Sequence, residues 1–431
     1  MGCKMASKFD GDSRVEVVTL TRGDRFHFSR RYDDDAIAQV MDSIKSIHEN
    51  LCMLPAGDAV LVEIQKLERR GLWGTVVIEG NPLSEAEAQS VLARPEDSPE
   101  RSQAEQELLN ARRAYAALDA MQLDNPDGSL ISEAMIKEFH RILTEGIAHK
   151  YNVPGKYREL RQFPSVHDIK VGSRETGGIY KPPKLKEDIE TLMGRLVQWI
   201  NSSELLAVDP IVRAALAHYH LALIHPFWDG NGRTARLLEA YLLHKSGIRY
   251  APMMISRYYN QFHKRYYEAY RICQKDGDKI VNAFLDVFLA CFGASIAEVL
   301  KMVVSDYERV VFKEKTESLF KKRRINKRQL NVALAMQKTG GVMTVRSMKE
   351  EFPFNVVYDQ LSVHTVRRDL DRLATESLLV KGESGYKPFR SVQGKSIDSV
   401  YAAFLGVGEG LLTHTGASVT VDESGGELTF G

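Results

Sequence analysis

Apolar residues recur with helical spacing along most of this 431-residue chain, and polar or Gly/Pro-containing stretches separate the runs. The clearest run, residues 211–224, is rich in Ala and Leu and contains neither Gly nor Pro. Pro226 disfavours the helical conformation at His225, so a buried helix is predicted to end there. A second helical pattern covers residues 234–245. The two predicted helices therefore frame a short loop.

The rest of the pattern predicts a mainly α chain. Residues 1 to about 35 are charged and weakly patterned, and an amphipathic stretch then reaches Asn50. Ser84 and Glu87 have the spacing of a capping box, and the helix that they begin is predicted to stop before Arg94. Further helical patterns run through Met121 and cover residues 134–144, 186–201 and 278–305.

The loop between the two central helices holds the densest group of reactive side chains. Residues 225–236 read HPFWDGNGRTAR. Gly230 and Gly232 permit close approach of the backbone just where the next helix begins, so backbone N–H groups converge there. A helix N-terminus attracts anions, and Arg233 and Arg236 lie on one helical face and add two positive charges. This arrangement favours a ligand that carries phosphate.

His-Pro-Phe-x-Asp-Gly-Asn-Gly-Arg-x-x-Arg is the signature of the Fic family, and every fixed position matches here. The resemblance implies transfer of AMP from ATP to Ser, Thr or Tyr hydroxyls of target proteins. It implies that His225 is the general base and that Asp229 holds Mg²⁺ or Mn²⁺; both residue types suit these tasks. The resemblance further implies that the nucleotide is bound by Gly230, Asn231, Gly232, Arg233 and Arg236.

Two further positions of the motif refine this expectation. Phe227 is predicted to anchor the loop in the core. A close relative that transfers phosphate has Lys at the position where this chain has Gly232. This difference favours AMP transfer over kinase-like chemistry.

A second motif lies upstream, at residues 75–82. It resembles the family's inhibitory motif, Ser/Thr-x-x-x-Glu-Gly/Asn. Thr75 and Glu79 are four residues apart and Gly80-Asn81-Pro82 stops a helix, so the carboxylate is predicted to project from the end of a short helix near residues 70–82. By resemblance Glu79 pairs with Arg236 and withdraws it from the γ-phosphate. The alternative is an ordinary surface acid before a turn.

Residues 155–158, 166–171 and 180–183 resemble the approach to a β-hairpin flap. An exposed strand edge there would align a segment of the target protein by strand addition, and the alternative is a plain surface hairpin. Tyrosines between residues 256 and 270 have helical spacing, which is more typical of core positions than of an adenine pocket.

The pattern changes after the basic run at residues 321–324. Three short helical patterns and a strand-turn-strand segment resemble a winged helix-turn-helix, with residues 362–370 as its recognition helix. Such domains bind DNA or serve protein contacts and homodimerisation. The acids Asp369, Asp371 and Glu376 and the neutral overall charge argue against DNA, so protein recruitment is favoured.

Composition narrows the setting. The chain has 58 basic and 57 acidic residues, which argues against bulk attraction to nucleic acid or membranes. No apolar run approaches the roughly twenty residues of a spanning helix, and the N-terminus shows no secretory signal. No membrane partner is therefore expected. Cys3, Cys52, Cys273 and Cys291 have no metal-type spacing, so reduced thiols in a cytoplasmic protein are expected.

These patterns predict four regions: an N-terminal segment (1–59), a Fic-type catalytic domain (60–305), a winged helix-like domain (325–392) and a tail (393–431). The expected function is an autoinhibited protein adenylyltransferase. One alternative is removal of AMP from protein in the same site, with Glu79 positioning water. Another is a transcription regulator whose Fic portion only senses a nucleotide. The intact His225 argues against this last alternative, because a sensor has no need of a base.

Overall fold

The structure is a computed structural model that divides into two compact units. It describes residues 14–20, 25–53, 58–94, 101–124, 130–162, 169–171, 180–248 and 251–389. Of these, the first unit contains 14–53 and 61–299, and the second contains 58–60 and 300–389. The chain is mainly helical within the described ranges, as predicted.

The hairpin at the start of the described chain comprises strands β1 (Arg14–Val18) and β2 (Arg25–Ser29). The next helices along the chain are α1 (Asp34–Met53), α2 (Asp58–Val77), α3 (Glu85–Ala93), α4 (Gln103–Asp124), α5 (Glu133–Thr144), α6 (Lys186–Ile200), α7 (Ser203–Leu206), α8 (Pro210–Ile224), α9 (Asn231–Lys245), α10 (Ile255–Gln261), α11 (His263–Lys275) and α12 (Asn282–Lys321). Helix α12 begins in the first unit and ends in the second. The predicted capping box of α3 is present, and α3 ends before Arg94 as predicted.

Helices α8 and α9 pack against each other at the centre of the first unit, with α4 and α5 against α9 and α6 against α8. Asp209 caps α8 by accepting a 2.9 Å hydrogen bond from the Ile211 N–H, and Pro210 occupies the first helical position, which suits proline. The helix ends at Ile224, as the sequence predicts, and His225 adopts a left-handed conformation with φ 50°. Twelve of the fifteen residues of α8 are buried, so the helix is a core element.

Two glycines bring α2 close to the backbone of residues 253–257. A Cβ at Gly71 would lie 1.9 Å from the Met253 carbonyl oxygen, and one at Gly74 would lie 2.5 Å from the Arg257 nitrogen. No other residue fits this spacing without movement of the backbone. The close approach fixes the end of α2, which carries the upstream motif.

The hairpin β1–β2 is an element that the sequence analysis did not predict. Its strands are antiparallel, with Val17 opposite Phe26. Phe28 is fully buried and lies 5.6 Å from the Trp199 ring and 5.5 Å from the His220 ring, between centroids. The ring partners of Phe28 lie about 170 to 190 residues away in the chain. The sequence itself shows only a short period-two pattern among charged residues, which is too weak to predict these strands.

Helix α12 extends beyond its predicted end at Ser305 and continues to Lys321. By length and composition it is apolar enough to cross a membrane, which corrects the expectation that no apolar run approaches that length. Of its most apolar window, 72% is buried inside the protein. The core helices of proteins without membrane spans have the same composition.

The second unit has its own hydrophobic core, which includes Leu330, Met336, Leu370 and Tyr386. Its further elements are α13 (Lys327–Thr339), α14 (Ser347–Glu350), α15 (Phe354–Tyr358), α16 (Val363–Thr375), β3 (Leu379–Gly382) and β4 (Gly385–Pro388). Strands β3 and β4 are antiparallel, and Met343 forms a bridge to Tyr386. The predicted helices and the strand-turn-strand are present, while the winged helix-turn-helix assignment and the four domain boundaries stay predictions.

Several predicted features lie wholly or partly outside the described residues. Of the predicted flap, the structure describes an antiparallel bridge between Val171 and Tyr180, whereas residues 163–168 and 172–179 are not described. The predicted tail and Cys3 are also outside. Cys52, Cys273 and Cys291 are free thiols, and the last two are buried.

Candidate active site

The loop that joins α8 to α9 is closed by the Asn231 side chain. Its Oδ1 accepts a 2.9 Å hydrogen bond from the Phe227 N–H, and its Nδ2 donates a 2.9 Å hydrogen bond to the Phe227 carbonyl. Asn231 was predicted to bind nucleotide, but its side chain is committed to the loop. Only its backbone N–H, in the first turn of α9, is available to bind an anion.

Phe227 anchors the same loop in the core, as predicted. Its side chain is fully buried and stacks on the His140 ring with centroids 3.7 Å apart. The Gly155 N–H donates to His140 Nδ1 at 2.9 Å, so the opposite nitrogen, Nε2, carries the proton and donates to the Asp229 carbonyl at 2.9 Å. Burial lowers the pKa of His140 to about 4. A neutral imidazole from α5 thus holds the loop beside Asp229.

Sequence reasoning missed His140. It lies on the buried face of α5, where a lone histidine gives no sign of its partners. The signal that exists is its position directly after Phe139 on a strongly amphipathic helix. The hydrogen bonds depend on tertiary structure.

Arg158 clamps the other end of the loop. It is fully buried; its Nε donates to the His225 carbonyl at 2.7 Å, and its backbone N–H donates to the Pro226 carbonyl at 2.9 Å. Its Nη2 also donates to the Pro183 carbonyl. Burial lowers the pKa of Arg158 to about 10. The sequence analysis placed Arg158 near the flap but gave it no role.

His225 is half-buried at the C-terminal end of α8. Burial lowers its pKa to about 4, and the positive charge of Arg158 acts in the same direction. The charges of Glu79 and Asp229 and a hydrogen bond to the Ala222 carbonyl oppose this shift. The imidazole is therefore neutral at neutral pH, as a proton acceptor must be.

The N-terminus of α9 requires glycine at its cap. Gly230 has φ 75°, and a Cβ there would lie 2.7 Å from the Thr144 methyl group. The Asp229 carboxylate accepts a 2.8 Å hydrogen bond from Nη2 of Arg233. Arg233 is 3% exposed, and its Nε and Nη1 have no hydrogen-bond partner among the described residues. Two buried donors of Arg233 thus lack an acceptor in the part of the chain that the structure describes.

Arg236 forms the contact that the upstream motif predicts. Its Nη2 donates to Oε1 of Glu79 at 2.7 Å, and its Nε and Nη2 bond to the hydroxyl and carbonyl of Thr75 at 3.0 and 2.9 Å. Burial disfavours the charged guanidinium, but the Glu79 carboxylate raises the pKa of Arg236 above its usual value. Nη1 has no partner in the described part of the chain.

Gly232 gives the Glu79 carboxylate access to α9. A Cβ at position 232 would lie 2.1 Å from Oε1 of Glu79 and 3.0 Å from Nη1 of Arg236. The carboxylate therefore lies against the first turn of α9, where the helix dipole favours negative charge. An acid of this chain occupies the place at which an anion would bind.

The turn that carries Glu79 differs from the prediction in one respect. Helix α2 is 20 residues long, not short, and Glu79 lies in the turn after its last residue, Val77. Asn81 then fixes the turn to α4, because its Nδ2 donates to the Ala104 carbonyl at 3.0 Å and to Oε2 of Glu107 at 2.8 Å. Glu79 is thus held by anchors on both sides.

The tyrosines between residues 256 and 270 are mainly core residues, as predicted. Tyr258, Tyr259 and Tyr266 are buried. Tyr259 donates to Glu239 Oε2 at 2.7 Å, and the Tyr266 hydroxyl is 2.8 Å from Nε2 of His218. These side chains form a buried polar network that includes Glu239 of α9.

The site offers few groups for a metal. No cluster of three or more His, Cys, Asp or Glu side chains that could hold an ion occurs within the described ranges. Asp229 supplies one carboxylate, which is 31% exposed. One carboxylate suits Mg²⁺ that is bound mainly through phosphate oxygens and water.

Comparison with known proteins shows that one segment of the chain matches a known family. Residues 130–243 match the model of the Fic/DOC family. The chain is 33% identical over 181 residues to protein adenylyltransferase fic-1 of Caenorhabditis briggsae, covering 41% of this chain and 32% of the relative. It is 30% identical over 232 residues to protein adenylyltransferase Fic of Nematostella vectensis, covering 53% and 49%.

The chain thus spans 32% of the length of the first relative and 49% of the length of the second. Among solved structures, Fic-1 from C. elegans superposes with a TM-score of 0.50 and 25% identity, over 62% of this chain and 73% of that one. The segment that matches the Fic/DOC family model, residues 130–243, contains α5, α6, α8, most of α9 and the whole loop between α8 and α9. The chain therefore contains a Fic domain.

Proposed function

We propose that this protein transfers AMP from ATP to a hydroxyl group of a target protein. The observation that carries the proposal is the set of buried donors at the N-terminus of α9. Arg233 and Arg236 each keep at least one buried N–H without an acceptor among the described residues, and the neutral His225 lies at the other end of the same loop. A buried N–H group without an acceptor costs free energy, and a bound anion would supply the acceptor.

The chemistry follows from these positions. Nε2 or Nδ1 of neutral His225 accepts the proton of the target hydroxyl, whose oxygen attacks the α-phosphorus of ATP. The bond between the α-phosphorus and the bridging oxygen breaks, and that oxygen leaves with pyrophosphate. Arg233, Arg236 and the first N–H groups of α9 stabilise the charge on the leaving group. AMP is left esterified to the target.

Asp229 is the residue that would hold Mg²⁺ or Mn²⁺. When bound, the ion would neutralise negative charge on the phosphate oxygens of ATP. Arg233 orients this carboxylate through its 2.8 Å hydrogen bond.

Glu79 is proposed to inhibit the transfer. Its carboxylate lies against Gly232 and pairs with Arg236, in the position that suits a phosphate of ATP. ATP would then bind without the Arg236 contact and in an unproductive pose. The partial exposure of the Glu79 side chain, 28%, leaves room for it to move out.

The target protein is proposed to dock at the base of the flap. Tyr180 and Leu223 both line a cavity of about 260 Å³. Strand addition at the edge next to Val171 would align the segment. We place the reaction in the cytoplasm, consistent with the free thiols.

Removal of AMP is a second candidate function. It is favoured by the Glu79 carboxylate, which lies against Gly232 in the first turn of α9, at the end of the loop that begins at His225. Such a carboxylate could position a water molecule for attack on an AMP ester.

Incubation of the purified chain with Mg²⁺ and ATP labelled in the α-phosphate tests the proposal. We expect label on the protein itself or on a partner, linked to a hydroxyl, and no label with the His225→Ala variant. Label that persists at the same rate in that variant would exclude His225 as the base. Label from the γ-phosphate instead would show kinase-like chemistry.

A further inference from the structure

The cavity at the base of the flap lies within the first unit. Its walls come from β2, α8, α11, the loop between α11 and α12, and Tyr180. Its volume of about 260 Å³ equals that of roughly nine water molecules at about 30 Å³ each. Of the described residues that line it, none belongs to the loop 225–236 or to the turn with Glu79. The cavity is therefore distinct from the nucleotide motif.

His220 of α8 supplies a buried polar atom to the wall. The residue is 1% exposed, and burial lowers its pKa to about 4, so the ring is neutral. Its Nε2 lies 3.2 Å from the backbone nitrogen of Ser29 and 3.1 Å from the Ser29 carbonyl oxygen, whereas its Nδ1 has no hydrogen-bond partner among the described residues. Nδ1 donates or accepts, depending on which Ser29 group Nε2 bonds. A ligand hydroxyl group satisfies Nδ1 in either case.

Gln274 and Lys279 supply donors to the same cavity. Nε2 of Gln274 is buried and lacks a hydrogen-bond partner within the described ranges. Nζ of Lys279 donates to the Gln274 backbone carbonyl at 2.9 Å, which uses one of the three donors of the ammonium group. An amide donor and an ammonium donor thus lie on one side chain and its neighbour. A carboxylate has an oxygen for each of them.

The charges around the cavity select the charge of the ligand. Arg25 also lines the cavity, but Glu16 pairs with it at 2.9 Å. No Asp or Glu is among the described lining residues. Asp276 lies three residues before Lys279, and its Oδ1 accepts a 2.8 Å hydrogen bond from the Asp278 N–H. Lys279 is then the one lining cation whose charge a ligand can balance, which matches a monocarboxylate better than a phosphate monoester with nearly two negative charges.

Aromatic rings form much of the remaining wall. Phe26, Tyr180 and Tyr219 line the cavity together with Leu223 and Val281. Phe26 and Tyr219 are buried, so their rings are held in place by the fold. Aromatic walls favour a planar aromatic ligand, through offset stacking and edge-to-face contacts.

We propose that this cavity binds a small aromatic monocarboxylate that carries a hydroxyl group on its ring. The carboxylate bonds to Lys279 and Gln274, the hydroxyl group bonds to Nδ1 of His220, and the ring packs against the aromatic walls. 4-Hydroxybenzoate has about ten non-hydrogen atoms, each of roughly the size of a water molecule, and so matches the volume. This binding does not depend on the proposed AMP transfer.

Isothermal titration calorimetry of the full chain with 4-hydroxybenzoate tests the site. We expect one bound molecule per chain with a Kd of about 1 mM or below. The neutral analogue 4-hydroxybenzamide keeps the shape and the hydroxyl group, and it should bind at least about tenfold more weakly. Benzoate lacks the hydroxyl group that His220 needs and should bind at least about fivefold more weakly. These comparisons use the parent protein alone.

A variant then assigns the charge. Lys279→Met keeps a long side chain but removes the ammonium group, so the affinity for 4-hydroxybenzoate should fall at least about tenfold and that for 4-hydroxybenzamide should change little. The matched control is Lys275→Met. Lys275 is an exposed residue of α11 and is not among the described lining residues, so its variant should bind as the parent does. Thermal unfolding without ligand checks that both variants are folded.

Three results would overturn the proposal. One is no binding of 4-hydroxybenzoate at about 10 mM, a concentration well above the expected Kd. Another is an equal affinity of the parent for 4-hydroxybenzoate and either analogue. The third is an equal loss of affinity in Lys279→Met and Lys275→Met, which would show a general effect of charge and not a contact in the cavity.

Discussion

Nη2 of Arg236 donates a 2.7 Å hydrogen bond to Oε1 of Glu79, 157 residues earlier in the chain. The arginine is 1% exposed and the carboxylate 28% exposed, so one partner is fixed and the other has access to solvent. A buried guanidinium needs an anion, and both Glu79 and a phosphate satisfy this need. The same arginine is therefore the point at which inhibition and catalysis compete.

Replacement of Glu79 tests this competition. Glu79→Gly removes the carboxylate and leaves Nη2 of Arg236 for ATP, so we expect AMP transfer to rise about tenfold or more. Glu79→Gln keeps the size but removes the charge and should give an intermediate rate. Incorporation of label from the α-phosphate of ATP measures both.

Glu85→Gln is the control, because it removes a carboxylate that pairs with Arg70 on α2 and not with α9. Its rate should equal that of the parent. Equal rates in the parent and in Glu79→Gly would contradict autoinhibition. Slower removal of AMP from a modified target by Glu79→Gly would instead favour the second candidate function.

The protonation of His225 gives a second prediction. A free histidine takes up its proton near pH 6.5, but burial and Arg158 lower the pKa of His225 to about 4. The ring should therefore stay neutral as the pH falls from 8 to 5 and gain its proton only below that range. NMR titration of the histidine ring signals measures this, with His225→Ala to assign the resonance. A pKa near 6.5 would show that the His225 ring is solvated and that burial and Arg158 do not lower its pKa.

Arg158 is predicted to hold His225 in position as well as to lower its pKa through its positive charge. Arg158→Lys keeps the charge but loses the fork that reaches the His225 and Pro183 carbonyls. We expect AMP transfer to fall roughly ten- to a hundredfold, in kcat more than in KM. The pKa of His225 should change little.

Arg158→Met removes the charge as well. The pKa of His225 should then rise, because the positive charge that lowers it is gone. Comparison of the two variants by NMR titration and by rate separates geometry from charge. A lysine variant with the rate of the parent would show that the fork is dispensable.

Local sequence predicted the parts of the fold that local chemistry determines. Pro226 predicted the end of α8, which occurs where expected, and Gly230 lies at the cap of α9, which begins at Asn231, three residues before the predicted helical pattern. The spacing of Thr75 and Glu79 predicted a carboxylate available to an arginine, and the pair with Arg236 is present in the structure. In these cases the decisive conformational preference belongs to one or two residues.

Tertiary partners could not be predicted in the same way. His140 and Arg158 bind backbone carbonyls of the loop, 67 to 89 residues away, and backbone carbonyls leave no mark in a sequence. The acids Asp369 and Glu376 look like surface charges until the fold brings Arg328 and Arg324 to them. A charge count therefore says little about which charges reach solvent.

The Asn231 clamp gives a final prediction, because the chain contains its own control. Asn201 closes another backbone in the same manner: its Nδ2 donates to the Ile131 carbonyl at 2.7 Å, and its Oδ1 accepts from the Ile131 N–H at 2.9 Å. Asn231→Ala and Asn201→Ala each leave a backbone N–H and carbonyl without a partner, at a cost of about 1–3 kcal/mol. Thermal unfolding should show similar losses of stability. Only Asn231→Ala should lose AMP transfer, since of these two asparagines only Asn231 fixes the loop between His225 and Asp229. If both variants lose transfer in proportion to their stability, the clamp supports the fold and not the site.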